Sequence, residues 1–168
     1  MRLFIYLILY YTDTMDAPQN DIWGPELWMI LHSAAERIGT SHVKLPQEEL
    51  RIWTGLLSSL RFSLPCPICK KHFTAYLLST PIKTFNREFI RNWLYNIHCQ
   101  VNDRTEKRAE ITIDQIPEIY SKPFNFSAHF RVVSEQMNRA LRLGWSSRND
   151  IQKTFRLSEE LKRFYDFF

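Results

Sequence analysis

A chain of 168 residues is long enough for one domain with a sizeable core, and 45% hydrophobic with 14% aromatic content excludes a disordered chain. Four glycines are too few for a turn-rich β architecture or a glycine-rich phosphate loop. The net charge of +4 comes from bases interleaved with acids, which leaves no nucleic-acid footprint, and three cysteines cannot build a multi-disulfide scaffold.

The chain opens with an unbroken apolar run, Leu3 to Tyr11, behind Arg2. Nine residues are too short to span a bilayer as a helix, and no small-x-small cleavage site follows. A membrane-surface contact, a partner-binding strand and a segment upstream of a start at Met15 all fit it. The favoured reading is no translocation and no stable transmembrane span.

Asp16 to Asp21 reads as a polar linker. Pro25 is expected to open a first helix ending at Gly39, with Leu27, Trp28, Ile30, Leu31, Ala34, Ala35 and Ile38 at helical spacing. The second helix, Gln47 to Leu64, carries the stripe Leu50, Trp53, Leu56, Leu57, Leu60, Leu64, with Glu48 and Glu49 suited to its N-terminus. The third runs from Pro67 to Leu78. The fourth starts near Thr84 as N-cap and runs to Arg104 behind Phe89, Ile90, Trp93, Leu94 and Ile97. A short fifth, Asp114 to Tyr120, is capped by Thr112 or Asp114. After Pro123 come two amphipathic segments, Ser127 to Leu143 and Ser147 to Phe168, parted by Gly144. They complete the core, cover a dimer face or dock a partner.

No segment alternates like a strand. The fold class is all-α: a four-helix bundle with a short fifth helix and a helical C-terminal extension. The expected division is an N-terminal segment and linker at 1–21, the core domain at 22–122 and the extension at 123–168.

The chemistry centres on Cys66-Pro67-Ile68-Cys69. Proline in a first helical turn sacrifices no hydrogen bond, so Cys66 falls at the helix N-terminus, where unpaired N–H groups and the dipole stabilise a thiolate. Lys70 and Lys71 add positive charge. A thiol made acidic in this way attacks disulfides near neutral pH, so the pair reads as a redox centre. Three other readings stand beside it. One is a zinc-stabilised interaction module using Cys66, Cys69, His72 and either His98 or Cys99. Another is an inert short-loop disulfide, and the last is a helical interaction protein whose aromatics merely fill a core.

Two helical pairs bear on the choice. Trp28 and His32 lie four apart, as do His98 and Asn102, with Trp93 and Tyr95 a turn earlier. Each pair by itself reads as satisfied core residues. Together they suit a planar heterocycle held in a bundle core. The cofactor that joins such a ring system to a dithiol is a flavin accepting two electrons.

The ordered set Trp23-Gly24-Pro25-x-x-Trp28-x-x-x-His32, Pro65-Cys66-x-x-Cys69-x-x-His72-Phe73 and Trp93-x-x-x-x-His98-x-x-Val101-Asn102 resembles the FAD-dependent sulfhydryl oxidases of the Erv/ALR family. The likeness covers Trp23 to Tyr120. It implies an enzyme that oxidises protein dithiols and passes the electrons to FAD and then to oxygen, giving hydrogen peroxide. It makes Cys69 the flavin-proximal cysteine and Cys66 the interchange cysteine, expected to be exposed. Trp28, His32, Tyr95, His98 and Asn102 fall where the family surrounds FAD, and Arg104 and Lys107 are candidates for its pyrophosphate. Tyr120 resembles an aromatic beside the adenine, and Trp23 and Gly24 the start of the binding region.

The likeness further implies a homodimer through the first helices, and protein dithiols or a separate redox shuttle protein as partners. The chain departs from the family where Cys99 replaces an asparagine. Cys99 is read as a quiet core thiol, the alternatives being that it pairs or reacts. No cysteine follows it, so the family's extra disulfide and shuttle pair have no counterpart, as in the compact members encoded by large DNA viruses. Host cytoplasm or virion follows from that placement; the mitochondrial intermembrane space or a secretory compartment is the alternative.

Overall fold

The computed structural model describes residues 16–42, 44–108 and 111–167, so the apolar run Leu3 to Tyr11 lies outside them. Helix α1 (Asn20–Ala35) begins earlier than Pro25, because the Gln19 carbonyl accepts the N–H groups of Ile22 and Trp23 at 3.0 and 3.2 Å and closes a turn first. Pro25 therefore sits inside the helix. The bond it cannot make is to the carbonyl of Asp21, an exposed residue whose carbonyl water can satisfy. Helix α1 also ends earlier than the sequence predicts, at Ala35 with Glu36 as its C-cap, and a turn over 36–39 closes at Gly39, whose φ is +73°.

Helix α2 (Pro46–Ser63) uses Pro46 as its first residue, with Glu48 and Glu49 in the first turn. Helix α3 (Pro67–Ser79) is capped by Cys66. Helix α4 (Arg87–Arg104) starts later than Thr84: the cap is Asn86, whose Oδ1 accepts the Phe89 N–H at 2.8 Å. A 3₁₀ turn (Ile113–Gln115), boxed by Thr112 and Gln115, leads into α5 (Ile116–Tyr120). Helices α6 (Phe126–Arg142) and α7 (Arg148–Phe164) are capped by Asn125 and Ser147. Between them Gly144 takes φ +72°, a left-handed turn that a Cβ would strain.

The core is one apolar cluster. Ile30 and Leu31 of α1, Trp53, Leu57 and Leu60 of α2 and Ile90, Leu94 and Ile97 of α4 are buried in it, and so are Phe126, Val133, Met137, Ile151, Leu157 and Leu161 of α6 and α7. Each fully buried side chain of this size contributes about 1.5–3 kcal/mol, so the C-terminal helices complete the core. Helix α6 lies along α1 and α7 along α2. Gly55 permits the second approach: a Cβ there would come within 3.1 Å of Leu157. Beside it, buried Thr154 donates to Ser59 or Ser63 at 2.9 and 2.7 Å. The Tyr165 hydroxyl accepts from Trp53 Nε1 at 2.8 Å and donates to Glu49 at 2.6 Å, which ties the chain end to α2.

No helix among the described residues is long and apolar enough to cross a membrane. Two polar anchors fix the side of the bundle that carries the site. Arg91 of α4 grips the buried Glu36 carboxylate through two bonds of 2.7 Å each. Arg37 donates to the carbonyls of Ser33 at 2.8 Å, Tyr120 at 2.6 Å and Lys122 at 3.0 Å, and so pins the end of α5 to α1.

Candidate redox and cofactor site

Cys66 and Cys69 form a disulfide with their Cα atoms 5.1 Å apart. Cys66 is the N-cap of α3, and the Cys69 N–H points at its Sγ at 3.3 Å. Once reduced, Cys66 has this donor and the helix dipole in place to hold a thiolate. Its exposure differs from expectation. Cys66 is only 8% exposed, against a half-buried Cys69, because Leu64 and Pro65 lead into α3 from the buried side and Asn20 of α1 lies against the sulfur. Lys70 is turned away too: its ammonium donates to the Trp145 carbonyl and, at 2.6 Å, to Ser146 in the α6–α7 turn. Burial pulls its pKa below the usual lysine value, with Asp150 opposing. The thiol therefore relies on the helix end more than on this lysine.

A second cluster lies between α1, α4 and α5. The Trp28 ring stacks on His98 at 4.2 Å between centroids and 10° between planes. His32 stacks on Tyr120 at 4.7 Å and meets His98 through Nε2 and Nδ1 at 3.1 Å. His32 is fully buried, and burial followed by the charge of His98 lowers its pKa to about 3. Burial lowers His98 to about 4. Both imidazoles are neutral at physiological pH, and one N–H is shared between them.

The stack opens on a cleft of about 400 Å³ lined by Tyr95, His98, Cys99, Asn102, Lys107, Arg108, Ile111, Ile116 and Tyr120. Contact with the Cys99 thiol, and then burial, raises the Tyr95 pKa, while burial raises that of Tyr120. The cleft and the disulfide are joined by adjacent residues of α1. Lys107 on the cleft wall pairs with Asp21 at 2.5 Å, and Asn20 touches Cys66 at 3.8 Å.

Among the candidate site residues, Trp28, His32, Tyr95, His98, Asn102, Lys107 and Tyr120 are thus gathered at one place. Three stand apart. Trp23 is buried in the core, Gly24 is half-buried on α1 with open space around its Cα, and Arg104 is exposed with His72 feeling its charge. Cys99 is not a core thiol. It is unpaired and half-buried on the cleft wall beside His98. The zinc reading lacks its ligand set, since no group of three metal-binding side chains comes together among the described residues. Arg37, Arg108 and Ile116 are additions that spacing did not reveal; a lone arginine beyond a helix end carries no periodic signal.

A disulfide on a helix N-terminus, with stacked aromatic and imidazole rings at a bundle cleft, defines the class as a helical dithiol redox protein. The sequence model of the Erv1 / Alr family matches residues 25–121, and the chain belongs to that family. It is 31% identical over 100 residues to a protein named FAD-linked sulfhydryl oxidase of African swine fever virus (a Pig/Kenya isolate), covering 60% of this chain and 81% of that one. A putative FAD-linked sulfhydryl oxidase of Frog virus 3 is 25% identical over 99 residues, or 58% and 65% of the two chains. The mitochondrial FAD-linked sulfhydryl oxidase ERV1 of Saccharomyces cerevisiae is 25% identical over 93 residues, 55% of this chain and 48% of its own. No solved structure matches the chain significantly.

Proposed function

We propose that the protein is a FAD-linked sulfhydryl oxidase that makes disulfides in protein thiols. The observation that carries the reading is the Cys66–Cys69 disulfide at the start of α3 in a chain of the Erv1 / Alr family. The residues fit the cofactor. The buried Nδ1 of His32 has no hydrogen-bond partner among the described residues, the Trp28–His98 stack is flat, and Lys107 and Arg108 on the cleft wall are cations suited to a pyrophosphate. Trp28, His32, Tyr95, His98, Asn102 and Tyr120 would hold the rings. FAD held there would supply a two-electron acceptor for the Cys66/Cys69 dithiol, with oxygen as the final acceptor and hydrogen peroxide as its product.

The chain's own residues do the thiol chemistry. A substrate thiolate attacks Cys66 Sγ, the bond to Cys69 breaks, and its electron pair stays on Cys69 as thiolate. A second substrate thiolate then attacks the substrate sulfur of the mixed disulfide and releases Cys66. Because Cys66 is buried, the attacking segment must displace part of its cover, which favours extended or incompletely folded thiol substrates. The neutral His32 and His98 keep positive charge out of the ring stack. Oxygen uptake on adding a reduced protein dithiol tests this. Uptake at wild-type rate by Cys66→Ser would remove the assignment.

A homodimer belongs to the same reading. Its first-helix version has to accommodate α6, which lies along α1, so the exposed Ile22 marks the apolar surface left there. Light scattering decides it: a monomer mass removes the dimer and leaves the chemistry intact.

A further inference from the structure

The sulfur of Cys66 has a second donor, which lies ahead of residues 25–121 that match the family model. Asn20, in the first turn of α1, directs Nδ2 at Cys66 Sγ across 3.8 Å, while its Oδ1 accepts from Trp23 Nε1 at 3.1 Å. An indole nitrogen only donates, so it must face the amide oxygen, and this turns the NH₂ group toward the sulfur. Trp23 is itself fixed, being 7% exposed in the core. The Cys69 N–H reaches the same sulfur at 3.3 Å from the other helix. Two donors from two helices thus converge on one sulfur atom that carries no charge while oxidised.

We infer that Asn20, oriented by Trp23, stabilises the Cys66 thiolate released during dithiol oxidation. This inference rests on the proposed function. In the step concerned, the second substrate thiolate attacks the substrate sulfur bound to Cys66. The new substrate S–S bond forms as the S–S bond to Cys66 breaks, and the electron pair leaves on Cys66 Sγ. The substrate is oxidised by two electrons and the enzyme pair is reduced, with no further reactant. A leaving thiolate departs faster when its pKa is lower, and hydrogen bonds to a charged acceptor lower it. The sequence around Asn20 reads as linker, and only the fold brings it to Cys66.

The test is the rate at which Cys66 in the anaerobically reduced full-length protein reacts with iodoacetamide across pH 5 to 10, followed by mass spectrometry with Cys99 as internal control. Asn20 is exposed, and alanine suits a first helical turn, so Asn20→Ala folds. That variant should slow Cys66 alkylation at pH 7 by about 3- to 10-fold and raise its midpoint, with the Cys99 rate unchanged. Asn20→Asp should slow it further by placing a carboxylate at the sulfur, and Trp23→Phe should reproduce part of the alanine effect by freeing the amide. A Cys66 rate in Asn20→Ala equal to or faster than wild type overturns the donor role. Alkylation needs no turnover, so a wild-type chain without oxidase activity overturns the proposed function instead.

Discussion

The buried imidazole pair makes a prediction about acid stability. The His32 pKa is lowered from 6.5 to about 3 in the folded chain, so folding holds this ring neutral. Between those values the unfolded chain binds a proton that the folded chain refuses. The contribution of His32 is therefore fully present above pH 6.5 and is lost as pH falls toward 3. The slope approaches about 1.4 kcal/mol per pH unit for one such group, which gives a loss of about 2.3 kcal/mol between pH 6.5, where the unfolded ring is already half protonated, and pH 4.5. His98, lowered to about 4 by burial, acts in the same direction, while Tyr120 and Trp28, the other rings facing the pair, carry no charge in this range.

The assay is urea unfolding followed by tryptophan fluorescence at pH 7.5, 6.5, 5.5 and 4.5, on protein freed of bound ligand so that ligand binding does not enter. His32→Phe keeps a stacked ring and removes the titration. Its stability curve should be flatter than wild type by about the His32 slope across this window. Parallel curves for the two proteins would rule out His32 as a source of the pH dependence, because carboxylates common to both would then account for all of it.

Three further predictions concern named side chains. Cys69→Ser should abolish reduction of the bound chromophore by dithiothreitol while retaining the chromophore, read by anaerobic absorbance. Cys99→Ser should leave the rate of dithiol oxidation within about two-fold, since the thiol pairs with no cysteine; complete loss of oxygen uptake would make Cys99 part of the redox relay. Arg37→Met should cost about 2–4 kcal/mol in urea unfolding, because the carbonyls of Ser33, Tyr120 and Lys122 lose a charged donor, and it should weaken chromophore retention by loosening Tyr120 from His32. Unchanged retention would show that α5 holds its place without the arginine.

Much of the fold was legible because the apolar positions repeat at helical spacing: Leu50 to Leu64 and Phe89 to Ile97 predict α2 and α4 to within a turn. The boundaries that moved did so for local reasons. Asn86 caps α4 in place of Thr84 because it sits where its Oδ1 reaches Phe89 N–H, and Gln19 closes a turn ahead of Pro25. The site was legible where four-residue spacing brings rings to one face, as with Trp28 and His32. What stayed hidden depends on contacts between distant segments. The burial of Cys66, the capture of Lys70 by the α6–α7 turn and the reach of Arg37 to Tyr120 all join residues with no pattern in common. The position of Cys99 belongs with them: a partly apolar residue on an amphipathic helix reads as core, and only the course of residues 111–120 shows that its face borders a cleft.

A flavin bound in this cleft would take its electrons from the Cys66/Cys69 pair. The most direct measurement is the visible absorption spectrum of the purified protein, followed by anaerobic dithiothreitol and then air. A yellow protein that bleaches with the dithiol and recovers in air, but stays yellow throughout when Cys69 is serine, is the predicted result. A colourless protein, or one whose colour bleaches equally fast without Cys69, would contradict it.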